Sequence, residues 1–134
     1  MYYPMMFEYY SAIYMSHRYS IPFCVWSDIP SHIKQKSTFP IRDMGVDVAN
    51  HTLCHVVQSK YYRNHHTIHY GKLATFLATP ILTGKNMKMT LIRTDESRLD
   101  PYLTAIVQRG DIEDIQLYVD KFLEQVKIIE KKFD

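Results

Sequence analysis

Within DMGVDVANHTLCHVVQSKYY, residues 43–62, an acid, an amide and a lysine stand at the polar ends of two apolar runs. Asp47 lies in Gly45-Val46-Asp47-Val48, and Gln58 and Lys60 close the run that ends Gln58-Ser59-Lys60. On a strand, residues two apart point to one side, so Gln58 and Lys60 share a face and Ser59 points away. A carboxylate and an amide oxygen, often joined by a backbone carbonyl, offer the hard oxygen donors that suit a cation such as Mg2+. A bound metal polarises a phosphoryl oxygen and acidifies its water, and a neighbouring lysine orients that water or offsets charge growing on the phosphate. The chemistry such a set carries is phosphodiester hydrolysis. The same letters also fit two ordinary strands with polar ends.

The order Gly45-Val46-Asp47-Val48, apolar strand, Val57-Gln58-Ser59-Lys60 resembles the PD-(D/E)XK nuclease superfamily. Within it the chain looks most like the Mrr-type restriction endonuclease branch, whose pattern is G-[IV]-D, a strand, then Q-x-K. That branch opens with a helix carrying a glutamate, often as Phe-Glu, and Phe7-Glu8 stands in that place. The tyrosines after Lys60 and a helix over 70–79 are similar to nuclease-like domains attached to helicases of large DNA viruses and related mobile elements. The similarity spans roughly residues 7–92 and leaves the tail helix generic.

The resemblance implies a restriction-endonuclease-like three-layer α/β sandwich, a mixed β-sheet flanked by helices. It implies Asp47 as principal metal ligand, Gln58 at the second ligand position, the backbone carbonyl of Ser59 as a third oxygen, Lys60 as the catalytic lysine, and Glu8 as the acid that completes or tunes the site. Mg2+ is the implied cofactor, with Mn2+ as a substitute, and DNA the implied substrate. A helicase, fused or associated, is an implied partner, and symmetry allows a homodimer, because cutting both strands with one centre per chain takes two copies. The neutral Gln58 removes one charge from the metal site, so a catalytically inactive DNA-binding or partner-docking module of the same fold is the alternative.

The acid is not settled by the sequence. A two-residue turn at Asn50-His51 sets Asp47 opposite Cys54 and Asp43 opposite Gln58. Only a bulge, a strong twist or a longer turn carries Asp47 to Gln58, so Asp43 is its rival. Downstream, Lys60-Tyr61-Tyr62-Arg63 and Lys72 interleave cations with aromatics. Arg63 and Lys72 are candidates for phosphate contacts, with Tyr61 and Tyr62 beside them for stacking; a solvated basic face is the plainer reading. His65 and His69 would pair on a metal only if they lay on a helix, and they read as loop histidines.

Several elements must position these residues. A helix is expected over 5–19, ended by Pro22, and a short strand over 21–29. A loop with short helical turns follows over 30–42, then a hairpin of runs 45–49 and 53–59. Residues 69–79 read as a helix stopped by Pro80, 88–94 as a strand, and 101–107 as a helix with Asp100 as N-cap and Pro101 first, or as a short strand. From Asp111 to Lys132 the apolar spacing, with acids first and lysines last, reads as one long helix.

The 134 residues suit a single domain over 1–134, with 46% hydrophobic and 22% charged residues. A formal charge of +2 permits a nucleic-acid partner without requiring one. Tyrosine is abundant, and Tyr2-Tyr3, Tyr9-Tyr10 and Tyr61-Tyr62 form pairs. Cys24 and Cys54 sit in apolar runs and read as buried thiols of a reducing compartment. No run reaches the roughly 20 apolar residues of a membrane span, and the N-terminus lacks a secretion signal's basic start, so an intracellular protein without a membrane partner is expected.

Overall fold

The computed structural model describes residues 2–36 and 44–133. Helix α1, Tyr3–Tyr19, starts earlier than its apolar period suggests because Pro4 sits in the first turn, where a missing N–H costs nothing. Phe7, Ser11, Ala12 and Met15 form its buried stripe. Ser20, in the left-handed conformation, ends it. The expected strand over 21–29 shrinks to β1, Phe23–Val25, followed by a 3-10 turn at Trp26–Asp28. As an edge strand β1 has only the three residues of β2, Val48–Asn50, to pair with. Between them lies a short helix α2, Ser31–Lys36.

The main sheet has five strands in the order β1-β2-β3-β5-β7, with β3 at His55–Lys60, β5 at Lys88–Thr94 and β7 at Glu113–Leu117. The pairs β1/β2 and β2/β3 are antiparallel, whereas β3/β5 and β5/β7 are parallel, so the sheet is mixed. Successive residues of the central strands serve opposite layers. Val57 and Ile92 pack with Phe7 and Met15 of α1 and with Phe122 and Val126 of α6, Val119–Phe133. Val56 and Leu91 pack on the other side with Phe76 of α3, Ala74–Leu77, and Leu103 of α5, Pro101–Gln108. A small parallel sheet, β4 (His66–Ile68) with β6 (Ser97–Leu99), flanks that second layer. The three-layer α/β sandwich is therefore what forms.

Two elements differ from the sequence reading. Residues 69–79 are a 3-10 turn at Tyr70–Lys72 and then α3, and Pro80 does not stop a helix but opens one, α4 at Thr79–Thr83. Residues 111–132 are not one helix. Their first part is strand β7, in which Ile115 and Leu117 alternate inward, and α6 starts at Val119, whose N–H donates to Asp95 Oδ1 at 2.9 Å. The acids that imitate a helix N-terminus have cationic partners instead: Glu113 meets Arg18 at 2.9 Å and Asp114 meets Arg93 at 2.9 Å. The helix at 101–107 forms as α5, with Asp100 Oδ1 accepting from Leu103 N–H at 2.8 Å.

A polar chain crosses the start of the parallel strands. His55, buried against Tyr19 and Phe23, lies 2.7 Å from Thr90 Oγ1, and the Thr90 hydroxyl donates to Glu113 Oε1 at 3.1 Å. Because Thr90 gives its proton to Glu113, His55 Nε2 donates to Thr90. Burial, with help from Lys88 and against Glu113, pushes the His55 pKa down to about 4. The unfolded chain, with an imidazole pKa of about 6.5, binds the proton first as pH falls. Stability from His55 is thus fully present above about 6.5 and is lost as pH drops from there toward 4. Denaturant midpoints measured across that window are expected to fall, and His55→Gln, which keeps a hydrogen-bonding side chain but does not titrate, flattens the slope.

Candidate active site

The register of β2 on β3 decides which acid faces Gln58. Val48 pairs with Val57 and Ala49 with Val56, so the turn between Asn50 and His55 spans 51–54 rather than two residues. Asn50 makes the longer turn: its Oδ1 accepts from Cys54 N–H at 3.1 Å and His55 N–H at 3.2 Å, while its carbonyl accepts from Leu53, a residue held at φ 56°. Extending this register brings Asp47 level with Gln58. The short-turn pairing that would put Asp43 there does not form, and Asp43 itself lies outside the described residues.

Asp47 ends the hairpin ladder with a distortion. Its N–H donates to Val57 O at 2.9 Å, its carbonyl accepts from Trp26 N–H at 2.8 Å, and its Oδ2 takes the Ser59 N–H at 2.8 Å. A side-chain carboxylate therefore stands where a strand carbonyl would, which fixes it against β3 beside Gln58 and Lys60. Ser59 faces the other layer, as alternation demands: its Oγ lies 3.2 Å from Ser11 Oγ, and Ser11 also donates to Phe7 O at 2.7 Å. This small polar pair lets α1 settle on β3 and brings Glu8, one turn before Ser11, to the end of the strand.

Gln58 is 6% exposed, and its Oε1 has no hydrogen-bond partner among the described residues. Gly45 closes over its amide with φ +76°; a Cβ added there would lie 3.1 Å from Gln58 Nε2 and 3.3 Å from Phe76 Cβ. Gly45→Ala is therefore expected to cost about 1–2 kcal/mol from backbone strain alone and to displace the amide, lowering any activity at this site. Denaturant midpoints and cleavage rates of the variant measure both.

Glu8, Asp47, Gln58, Ser59 and Lys60 line one cavity of about 410 Å³, together with Gly45, Tyr2, Pro4, Tyr61 and Tyr62. The structure thus brings together the four side chains singled out from the sequence for catalysis. Arg63 and Lys72 do not line it. Arg63 faces Glu96 at 3.5 Å, and Lys72 lies on the 3-10 turn after β4. His65 and His69 flank strand β4 instead of sharing a helix turn. Cys54 is exposed in the hairpin turn and Cys24 half-buried, both as free thiols, so the reading of two buried cysteines does not hold. Pro4 also lines the cavity, and Tyr2, seen in the sequence only as one of the tyrosine pairs, joins it. Ser11 lies behind the site, where it holds α1 on β3, and a serine on the apolar stripe of α1 is its one legible signal.

A family model described as restriction endonuclease matches residues 13–128. The chain belongs to this family. The match covers Asp47, Gln58, Ser59 and Lys60 but starts after Glu8, and it extends beyond the 7–92 span of the sequence resemblance to include β7 and most of α6. The tail is thus part of the restriction endonuclease domain, not a generic addition. Neither curated proteins nor solved structures give a significant match. No described helix is long and apolar enough to cross a membrane.

Proposed function

We propose that this restriction endonuclease domain is a divalent-metal-dependent DNA endonuclease. The observation that supports it most is the shared cavity of Asp47, Gln58, Lys60 and Glu8. The donor set suits a hard cation. An orphaned, buried amide oxygen at Gln58 costs about 1–3 kcal/mol unless something fills its lone pairs, and a cation can. Among the described residues no three His, Cys, Asp or Glu side chains gather as a metal cluster, so the site is one of mixed carboxylate and amide oxygens with low charge.

In this reading Asp47, Gln58 Oε1 and the Ser59 carbonyl hold Mg2+ or Mn2+, which when bound polarises the phosphoryl oxygen and acidifies water. Asp47 is pinned by the Ser59 N–H, so its carboxylate needs little rearrangement to act as ligand. Lys60 offers an ammonium at the end of β3 that orients water and offsets charge growing on the scissile phosphate. Glu8, from α1, adds a second carboxylate to the same cavity and completes or tunes the acidic site.

The neutral residue at 58 favours the second reading, a domain that binds DNA without cutting it. A supercoiled-plasmid assay separates them. Nicking in Mg2+ or Mn2+ that stops in EDTA is expected. DNA binding with no cut under either metal supports the inactive module instead.

A further inference from the structure

We propose that the active-site cavity receives an unpaired nucleotide, so that the domain prefers single-stranded DNA, or a single-stranded tail on a duplex, over continuous duplex. This rests on the nuclease reading above. Two of the three tyrosine pairs in the sequence, Tyr2-Tyr3 and Tyr61-Tyr62, come from opposite ends of the site region and meet at this cavity. Tyr2, Tyr61 and Tyr62 line it beside Lys60. Tyr3 stands behind Tyr61 with ring centroids 5.9 Å apart, and Phe7 and Phe122 back the same ring at 5.8 and 5.6 Å. Tyr61 is therefore a braced, half-buried wall. Tyr2 is an exposed lip, 66% accessible, at the start of α1. Tyr62 is tied to β5 through its carbonyl, which accepts from Thr94 Oγ1.

Aromatic walls above a polar floor fit a base that stacks while its phosphate lies at Lys60. Stacking on tyrosine is open to any base with a free face, whereas bases inside a duplex are already stacked on each other and present sugar and phosphate outward. The charge distribution agrees. Duplex backbones call for many cations, yet Arg63 faces Glu96 and Arg93 is buried on Asp114, leaving Lys60 as the cation that lines the cavity among the described residues. The volume, about 410 Å³, lies at the scale of small-ligand clefts, roughly 300–1,000 Å³, and has room for a single nucleotide.

The test is equilibrium binding of the whole chain in EDTA to labelled oligonucleotides, single-stranded and as the matched duplex, with 2-aminopurine as the stacking reporter. The single strand is expected to bind about tenfold tighter, with 2-aminopurine fluorescence quenched on binding. Tyr2→Ala and Tyr62→Leu are each expected to weaken single-strand binding about five- to tenfold and duplex binding by less, so that the preference between the two shrinks. Tyr2 is exposed at a helix start, so that variant keeps the fold, and circular dichroism checks the other. Duplex affinity equal to or above that of the single strand overturns the proposal, as does single-strand affinity that neither substitution moves. Because the readout is binding, absence of cleavage would count against the nuclease reading and leave this preference independently decided.

Discussion

If the proposed nuclease reading holds, Lys60→Ala is expected to lower DNA cleavage by about 10²- to 10⁴-fold without unfolding the domain. The ladder of β3 with β5 runs through the backbone at Lys60, paired with Arg93, so truncating the side chain removes no strand bond. The side chain is half-exposed at the cavity wall, so on the proposed reading its loss would be felt only where a charge develops on the phosphate or a water must be aimed. Asp47→Ala is expected to be as damaging to cleavage but not as silent structurally. Its Oδ2 is the acceptor for the Ser59 N–H, and an orphaned amide at the end of β3 costs about 1–3 kcal/mol. Asp47→Asn retains an oxygen for that amide and removes the charge, so it separates the two effects: near-wild-type melting with lost cleavage. Nicking rates in Mg2+, set beside thermal melts of all three variants, give the comparison. Wild-type rates from Lys60→Ala would remove the lysine from the chemistry.

The same-face relation of Gln58 and Lys60 was legible because strand alternation is local, and the motif around Asp47 added a family resemblance. The identity of the facing acid was legible only through the resemblance, which favours Asp47, and not from the simple hairpin register, which favours Asp43. It depends on a turn whose length is set by one side chain, Asn50, reaching two backbone amides beyond the shortest hairpin. The strand at Glu113–Leu117 was missed for a related reason. Its acids satisfy a helix-dipole pattern as well as a strand pattern, and only Arg18 and Arg93, distant in sequence, choose between them. Pro80 is ambiguous in itself, since the ring that blocks a helix interior is favoured in a first turn. Tyr2 and Pro4 reach the cavity because α1 crosses the end of β3, held there by Ser11 and Ser59, a packing relation that no spacing within α1 encodes.

The second large effect falls on stability. Arg93 and Asp114 form a two-pronged pair, Nε to Oδ1 at 2.9 Å and Nη2 to Oδ2 at 3.0 Å, while Nη1 donates to Ser97 O at 2.9 Å. The side chains are 8% and 13% exposed, so each charge depends on the other. Asp114→Ala leaves a guanidinium buried without its carboxylate, which costs about 3–5 kcal/mol, a large share of the roughly 5–15 kcal/mol that holds a domain of this size. A fall in Tm of roughly 10–20 °C is expected. The pair need not stabilise the fold relative to apolar neighbours, however. Arg93→Met combined with Asp114→Leu removes both charges together and is expected to recover most of the loss. A double variant as unstable as Asp114→Ala would show that the shape of the pair, not the unpaired charge, is what matters. Arg93 is the partner of Lys60 across the β3/β5 ladder, so the pair anchors the strand end that carries the lysine. Cleavage by Asp114→Ala is accordingly expected to persist well below its lowered Tm and to vanish with the fold, whereas Lys60→Ala loses cleavage at every temperature.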